Sequence, residues 1–280
     1  MYTIFNHGGG LADSFDNIYA NPYGTPDGLP DGGTVTIQSI GMDESHENDS
    51  LSHYELGQVT QYLEDKIGKN IDIFYPMACL MGGVELAHEI KNNVDYLLGS
   101  EELVLGAVVM PQVFIGKAGP YFSALQEIIE NPDIGPVDLG IAFCDNIINF
   151  IREKLSDVNV VYSMIDLFNF DALYDAIDAY STAAIADITD NNTSELYNQA
   201  ADDSLTMAVP VEDENYFYMD LGNYLDNINM TSGIDQTVKD EADEVLDALN
   251  ACVIHTNVMN PPAETGQYYT GLSIFQNIWD

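Results

Sequence analysis

The chain of 280 residues has few basic side chains: 7 Lys and Arg stand against 46 Asp and Glu, which gives a formal net charge of −39. Nucleic acids and anionic membrane surfaces are bound through clustered Lys and Arg. We therefore do not expect either of them as a partner. The acidic residues are spread singly through apolar periodic segments, and 46% of all residues are hydrophobic. This distribution is typical of an acidic surface around a folded core.

Long apolar runs and a basic leader followed by an apolar stretch are also missing. No segment approaches the roughly 18 apolar residues that cross a bilayer, and no signal peptide is visible after Met1. We therefore expect no membrane insertion. The length of 280 residues suits one large domain, or one domain with a subdomain.

Cysteine is scarce, and Cys79, Cys144 and Cys252 are too few for a disulfide framework. Cys144 and Cys252 lie in apolar patterns with helical spacing, where cysteine usually behaves as a small hydrophobic core residue. Cys79 differs, because it follows the strand-like run Ile71–Ala78. Two glycines, Gly82 and Gly83, come three and four residues after it. The sequence thus predicts two core cysteines and one candidate for chemistry.

Strand and helix patterns alternate along the first 166 residues, which predicts an α/β fold with a largely parallel sheet. The predicted strands are 1–7, 34–40, 71–78, 94–100, 158–166 and 268–275, and the predicted helices are 52–66, 84–91, 121–130, 137–155, 170–188 and 235–253. Segments 13–33 and 106–120 are rich in turn residues and are predicted as loops. We expect a first domain over residues 1–166 and a helical subdomain with a final strand over residues 167–280.

His7 and Cys79 each end a predicted strand, and each is followed by glycines. The carboxyl ends of parallel strands open onto the ligand crevice of an α/β sheet. If the two strands are parallel neighbours, the imidazole can lower the pKa of the thiol and then protonate a leaving amine. The pattern favours a cysteine-nucleophile hydrolase site. A core cysteine and a turn histidine are the alternative, which spacing alone leaves open.

The glycines after His7 suit an oxyanion hole. Because Gly8 has no side chain, its N–H can approach a developing negative charge closely. The N–H of Cys79 is the second expected donor, since a helix is predicted to begin shortly after it and a helix N-terminus favours anions.

Several segments resemble the clostripain-like cysteine peptidases. Phe5–Gly10 is similar to the segment around the catalytic His of that family, Ala78–Ile90 to its nucleophile segment, and Asp95–Glu102 to the strand and Ser-Glu-Glu turn that follow. Three later segments match the C-terminal part of the family in order: Ser163–Leu167, Tyr218–Leu221 and Gly271–Phe275.

The resemblance implies a caspase-like three-layer fold, with the catalytic domain over residues 1–166. It also implies an endopeptidase that cleaves peptide or protein substrates through a thioester, with His7 as general base and acid and Cys79 as nucleophile. The alternative is a catalytically impaired or truncated homologue that binds peptides or proteins in the same crevice.

The sequence departs from the family two residues before the nucleophile. The family has an Asp there, which helps to bind a basic P1 side chain, whereas this chain has Met77. A thioether cannot pair with a guanidinium group as a carboxylate does. Glu101 and Glu102 keep the acidic turn, so Gly8, Met77, Glu101 and Glu102 are our candidate substrate-binding residues. We expect an altered or more apolar P1 preference.

A second departure concerns the start of the chain. Catalytic domains of the family usually have a strand, a helix and another strand before the His segment, whereas this sequence begins at the His strand. The flank of the predicted strand Tyr2–Asn6 would then lack a neighbour. A missing segment, a partner chain at that flank and a truncated homologue are the three open explanations.

No metal-ligand spacing is present. His46 and His53 lie among acidic residues without a His-Glu-x-x-His pattern, so we expect them to be exposed loop residues. The acidic segment Asp187–Asp203 lacks the residue order of an EF-hand. We predict no metal ligand and no required cofactor, while the resemblance leaves low-affinity calcium on the acidic surface open. The resemblance also suggests secretion, although the sequence itself does not set the compartment.

Overall fold

The computed structural model describes residues 1–5, 8–10, 39–43, 49–102, 126–154, 159–207, 216–260 and 266–277. The strands within these ranges are β1 Tyr2–Phe5, β2 Gly8–Gly10, β3 Ser39–Asp43, β4 Asp49–Ser52, β5 Ile71–Met77, β6 Val94–Gly99, β7 Val160–Asp166, β8 Thr206–Met207, β9 Tyr216–Asp220, β10 Val253–Met259 and β11 Ser273–Asn277. The helices are α1 His53–Ile67, α2 Val84–Ile90, α3 Pro136–Lys154, α4 Phe170–Asn191, α5 Ser194–Asp202, α6 Leu221–Met230 and α7 Gln236–Cys252, and residues 126–130 are also helical.

The central sheet has the strand order β1-β5-β6-β7-β10. β5 is parallel to both of its neighbours, whereas β7 is antiparallel to both of its own. Four of these five described strands therefore run in one direction and only β7 opposes them, which confirms the predicted, largely parallel sheet. Two smaller antiparallel sheets have the orders β2-β3-β4 and β11-β9-β8.

Helices cover both faces of the central sheet, as the alternation of side chains along β5 shows. Ile73 and Tyr75 belong to an apolar cluster that includes α3, and the ring of Tyr75 meets that of Phe143 edge to face at 6.1 Å. Phe74 points to the other face, where its cluster includes Leu86 of α2. Strands buried on both faces read as continuous apolar runs, which is why β5 could be predicted from the sequence.

Pro76 is tolerated inside β5 because the two strands that neighbour β5 pair with different lengths of it. The described pairing of β5 with β6 ends at Phe74, whereas the pairing with β1 continues to Met77. A proline has no N–H to donate, so it fits where a strand is paired on only one side. The end of β5 therefore projects beyond its pairing with β6.

The part of the chain after β7 packs α4, α6 and α7 on the face that also holds Phe74. The predicted helix 235–253 is confirmed as α7, after which β10 follows directly and pairs with β7 in the central sheet. Helices α5 and α6 and strands β8 to β10 were not predicted. The division of the chain at residue 166 stays a prediction.

Helix α1 begins with a capping box, which explains why its start could be predicted. Ser52 Oγ accepts the N–H of Glu55 at 3.2 Å, and Glu55 Oε2 accepts the N–H of Ser52 at 2.8 Å. The helix ends at Gly68, whose φ of +77° suits glycine.

The expectation that His53 lies exposed in a loop is wrong. His53 is the first residue of α1 and only 6% exposed, because the cap at Ser52 starts the helix there and turns the next side chain inward. Burial lowers the pKa of His53 to about 3. His46 and the predicted loops 13–33 and 106–120 lie outside the described residues.

The expected core positions of Cys144 and Cys252 are confirmed, since both side chains are fully buried. Burial raises the pKa of the Cys252 thiol to about 11 and that of Cys144 further. In the ranges that the structure describes, no helix combines the length and the apolar character needed to cross a membrane.

Candidate functional site

The two strands that precede His7 and Cys79 are parallel neighbours. In the register of β1 against β5, Phe5 lies opposite Met77. His7 lies two residues after Phe5 in the sequence, and Cys79 lies two residues after Met77. The condition on which the sequence argument depends is therefore met, although His7 itself lies outside the described residues. Gly8 begins β2 and lies opposite Ile40 of β3.

Cys79 is half-buried, in contrast to the two fully buried cysteines. Its side chain packs at the border of two apolar clusters. One cluster contains Met77, and the other contains Leu80, Met207 and Tyr218. Cys79 is therefore the cysteine of this chain that combines a strand end with access to solvent.

The loop that follows Cys79 is held against the end of β6 by backbone groups. The N–H of Gly82 donates to Ser100 O at 2.8 Å, and the N–H of Leu80 donates to Glu102 O at 3.3 Å. A Cβ on Gly82 would lie 2.9 Å from backbone atoms of Ser100 and Glu101, so only glycine allows this approach. Leu80 has φ +56°, a left-handed conformation that costs a non-glycine residue energy.

The same loop is held from its other side by β11. Ser273 donates to Gly82 O through its N–H at 2.9 Å and its Oγ at 3.3 Å, and Gly83 forms a parallel bridge with Ser273. Gly83 is also the N-cap of α2, which begins at Val84 as predicted. The segment from Leu80 to Gly83 thus lies between the turn after β6 and the start of β11.

Met77 lies in the apolar cluster that also contains α3 and is 5% exposed. A carboxylate at this position would be surrounded by Tyr75, Leu98 and other apolar side chains, and its desolvation would be costly. The assignment of Met77 and Gly8 to substrate binding stays a prediction.

Glu102 is 7% exposed and accepts a hydrogen bond from Tyr269 Oη at 2.8 Å. Tyr269 also packs at the edge of the cluster that Cys79 contacts. The pKa of Tyr269 is raised by burial and by the neighbouring carboxyl of Glu102. Tyr269 is not among the residues that the sequence predicts for the site, and Glu102 stays a candidate for substrate binding.

Glu101 and Asp220 are both fully buried. Glu101 Oε2 accepts the N–H of Gly271 at 3.2 Å. Burial, followed by the charge of Asp220, raises the pKa of Glu101 well above its ordinary value. The role of Glu101 in substrate binding stays a prediction, and its visible contacts are internal.

Asp220 ends β9 and caps α6, because its Oδ1 accepts the N–H of Asn223 at 2.8 Å. It also accepts Thr270 Oγ1 at 2.7 Å and the N–H of Thr270 at 2.5 Å. Burial raises the pKa of Asp220 to about 6 even though these donors oppose the shift. Sequence reasoning gave this residue no role. The available signal was an acid between an apolar strand and a helix start, which is typical of an N-cap.

Among the residues that the structure describes, no three His, Cys, Asp or Glu side chains converge as metal ligands. The low-affinity calcium stays a prediction.

Comparison with known proteins agrees with this arrangement. The model of the Clostripain family matches residues 27–271. No curated protein sequence matches the chain.

Solved structures of C11 proteases resemble the fold. A clostripain from Bacteroides thetaiotaomicron with a bound peptide inhibitor has a TM-score of 0.51 at 18% identity, over 84% of this chain and 88% of that one. A secreted C11 cysteine protease from the same organism, bound to an irreversible peptide inhibitor, has a TM-score of 0.57 at 15% identity, over 99% of this chain and 65% of that one.

An inactive zymogen of a C11 protease from Parabacteroides distasonis has a TM-score of 0.50 at 15% identity, over 79% of this chain and 56% of that one. The chain therefore spans about half of the zymogen and two thirds of the secreted protease. These likenesses show the caspase-like fold, which confirms the prediction of fold class.

Proposed function

The chain belongs to the clostripain family of cysteine peptidases, and we propose from this premise that it is an endopeptidase with Cys79 as nucleophile and His7 as general base and acid. The observation that carries the proposal is the parallel register of β1 and β5, in which Phe5 lies opposite Met77. Neighbouring parallel strands lie about 4.8 Å apart. Strand ends at this spacing suit a thiol and an imidazole that exchange a proton.

The proposed reaction has two halves. His7 takes the proton of the Cys79 thiol, and the thiolate attacks the carbonyl carbon of the scissile bond. The N–H groups of Gly8 and Cys79 stabilise the oxyanion, and His7 returns the proton to the leaving amine. Water, deprotonated by His7, then attacks the thioester, and the acid product leaves as the thiolate is restored and reprotonated.

Peptides are the proposed substrates. Two solved relatives hold peptide inhibitors, which supports a peptide-binding crevice in this family. Met77 provides no carboxylate for a basic P1 side chain, whereas Glu102 lies beside Tyr269 near Cys79. We therefore keep an altered P1 preference as part of the proposal, with no cofactor required.

The comparisons give no support to the alternative of an impaired homologue that only binds peptides. One solved relative is described as secreted, and secretion of this chain is part of our proposal. A partner chain at the Tyr2–Asn6 flank also stays a proposal. In the described sheet order β1 stands at one end, with β5 as its neighbour.

The Cys79→Ala variant tests the nucleophile. We expect it to lower kcat/KM on a fluorogenic peptide library by at least about 10³-fold, since removal of a covalent nucleophile leaves only binding and oxyanion stabilisation. Iodoacetamide labelling at residue 79, measured by mass spectrometry, should also disappear. Cys144→Ala is the matched control, because that cysteine is fully buried, and it should keep both cleavage and labelling.

The His7→Ala variant tests the other half of the dyad. We expect a loss of similar size, together with slower alkylation of Cys79 at neutral pH because the thiolate is no longer stabilised. Cleavage by the Cys79→Ala protein at the wild-type rate would refute the proposed function. Wild-type alkylation and cleavage by the His7→Ala protein would refute the dyad.

A further inference from the structure

The part of the chain after β7 encloses a cavity of about 110 Å³. Helices α4, α6 and α7 and strands β9 and β11 all contribute side chains to its wall. Most of these side chains are apolar, among them Ile177, Leu225 and Val245. An engineered apolar cavity of about 150 Å³ in another protein binds benzene. The size and the wall of this cavity therefore suit a compact organic molecule.

Two tyrosine hydroxyls interrupt the apolar wall. Tyr180 Oη of α4 donates to Tyr224 Oη of α6 at 3.1 Å, and both residues line the cavity. Each of them is less than one tenth exposed. Burial raises the pKa of both phenols, so each keeps its proton at neutral pH.

The tyrosine pair carries one more proton than its own hydrogen bond uses. Two hydroxyls hold two protons, and the bond from Tyr180 to Tyr224 takes one of them. In the ranges that the structure describes, no acceptor is hydrogen-bonded to the other proton. A buried donor without an acceptor is unfavourable. This spare proton therefore favours a ligand atom that accepts a hydrogen bond.

The remaining groups of the wall exclude charged ligands and hold water poorly. No Lys, Arg, His, Asp or Glu is part of the described lining, so an ion would be desolvated there without a counter-charge. A buried water typically makes about three hydrogen bonds. Besides the two phenols, the half-buried Ser181 is the polar side chain of the described lining. A neutral molecule with an apolar body matches this surface better than water does.

We propose that this cavity binds a small neutral molecule that has an apolar body and one carbonyl acceptor, which takes the spare proton of the Tyr180–Tyr224 pair. Ketones and esters are the ligand class that meets these conditions. The apolar body packs against side chains such as Val245 and Ile274.

The cavity lies across β9 and β11 from the loop that follows Cys79. Tyr218 belongs to the apolar cluster that Cys79 contacts, whereas the next residue, Met219, lines the cavity. Likewise, the side chain of Ser273 bonds to that loop, whereas the next residue, Ile274, lines the cavity. Successive side chains of a strand point to opposite faces. The proposed ligand site is therefore separate from the proposed peptide crevice.

Cyclopentanone is the probe for this site, because it is a compact ketone without a donor of its own. In NMR spectra of protein with labelled Met and Ile methyl groups, the signals of Met219 and Ile274 should shift saturably. We expect a Kd on the order of 1 mM, since so small a ligand makes few contacts. Met219→Leu and Ile274→Val assign the two signals. Met230 is 74% exposed, and its signal should not follow the same curve.

The Ser181→Leu variant tests the place of binding. The larger apolar side chain enters the cavity from α4 and should raise the Kd of cyclopentanone at least about tenfold, because it occupies the space of the ligand. Thr182→Leu is the matched control, since Thr182 is an exposed residue of the same helix. Its Kd should stay within about twofold of wild type.

The double variant Tyr180→Phe/Tyr224→Phe tests the acceptor. It keeps both rings and removes both phenolic protons, so the Kd should rise about tenfold, the factor expected for the loss of one hydrogen bond. Tyr62→Phe is the control, because Tyr62 is 60% exposed and lies outside the cavity. Dispersed methyl signals show for each variant whether it is folded, and the double variant and Ser181→Leu decide independently of each other.

Alkylation of Cys79 with iodoacetamide separates this site from the peptide crevice. The alkylated protein should bind cyclopentanone with an unchanged Kd, and loss of binding would place the ligand in the crevice and overturn the proposal. Absence of saturable shifts at Met219 and Ile274, or an equal Kd in wild type and Ser181→Leu, would also overturn it. An unchanged Kd in the double tyrosine variant would overturn the role of the spare proton. No peptide is cleaved in these measurements, so a failure of the proposed peptidase function would leave their result unaffected.

Discussion

The loop from Leu80 to Gly83 and the segment from Tyr268 to Gly271 lie on either side of the same turn, but different groups hold them. The loop is fixed by backbone N–H and C=O groups, with glycine at the closest approach. The later segment is fixed by the side chains of Glu101, Glu102 and Asp220. The main-chain contacts need glycine at position 82 but involve no titratable group, whereas the carboxyl contacts depend on pH. Different substitutions should therefore destabilise the loop and the later segment.

The largest loss of stability is expected for Asp220→Ala. This change removes the cap of α6 and leaves the buried donors of Asn223 and Thr270 unsatisfied. We expect the free energy of unfolding to fall by about 3 to 4 kcal/mol in urea titrations. Asp235→Ala is the control, because Asp235 is an exposed cap whose side chain accepts Thr237 N–H, and about 1 kcal/mol is expected there. Equal losses would show that the side chains do not hold the segment.

Gly82→Ala should destabilise the loop through its backbone. The new Cβ would lie 2.9 Å from main-chain atoms of Ser100 and Glu101, which cannot rotate away. We expect a loss of about 2 to 3 kcal/mol in the same titration, independent of pH. Gly135→Ala is the control, since a Cβ there meets no atom within 4 Å, and a change within about 0.5 kcal/mol is expected. A strongly pH-dependent loss at Gly82 would contradict the distinction between the two regions.

Tyr269→Phe should have the smallest effect of the three. It removes one hydrogen bond to the buried Glu102 and keeps the ring. We expect a loss of about 1 kcal/mol, measured as a lower thermal midpoint. Tyr268→Phe, which removes the more exposed bond to Asp226, should cost less. A larger loss at Tyr268 than at Tyr269 would place the important contact on the surface rather than beside Glu102.

Much of the fold could be predicted because its signals are local. The capping box at Ser52 and the continuous apolar run of β5 each lie within a few residues. β10 could not be predicted, since Val253–Met259 follows α7 without a turn residue and has three consecutive polar residues, His255, Thr256 and Asn257, in place of a strand-like alternation. Its strand conformation depends on pairing with β7, which is far away in the sequence. Tertiary pairing there overrides local preference.

The candidate site was predictable to a similar extent. The strand end and the glycines around Cys79 are visible in the sequence, and the resemblance adds their proposed roles. The contacts of Glu101 and Glu102 are not visible, because their partners Gly271 and Tyr269 lie 170 and 167 residues further along the chain. The hydrophobic periodicity of a sequence does not reveal contacts between residues so far apart in the chain. An acidic turn therefore looked like a binding surface, whereas the structure shows it engaged with the C-terminal segment.

The link between Gly82 and Ser273 also sets a minimum time for assembly of the loop during synthesis. The two residues are 191 positions apart. At about 5 to 20 residues per second, the ribosome needs roughly 10 to 40 s to travel that distance. During this interval a nascent chain already contains Cys79 but lacks the strand that fixes the following loop. The loop after Cys79 can therefore reach its final contacts only after most of the chain has been synthesised.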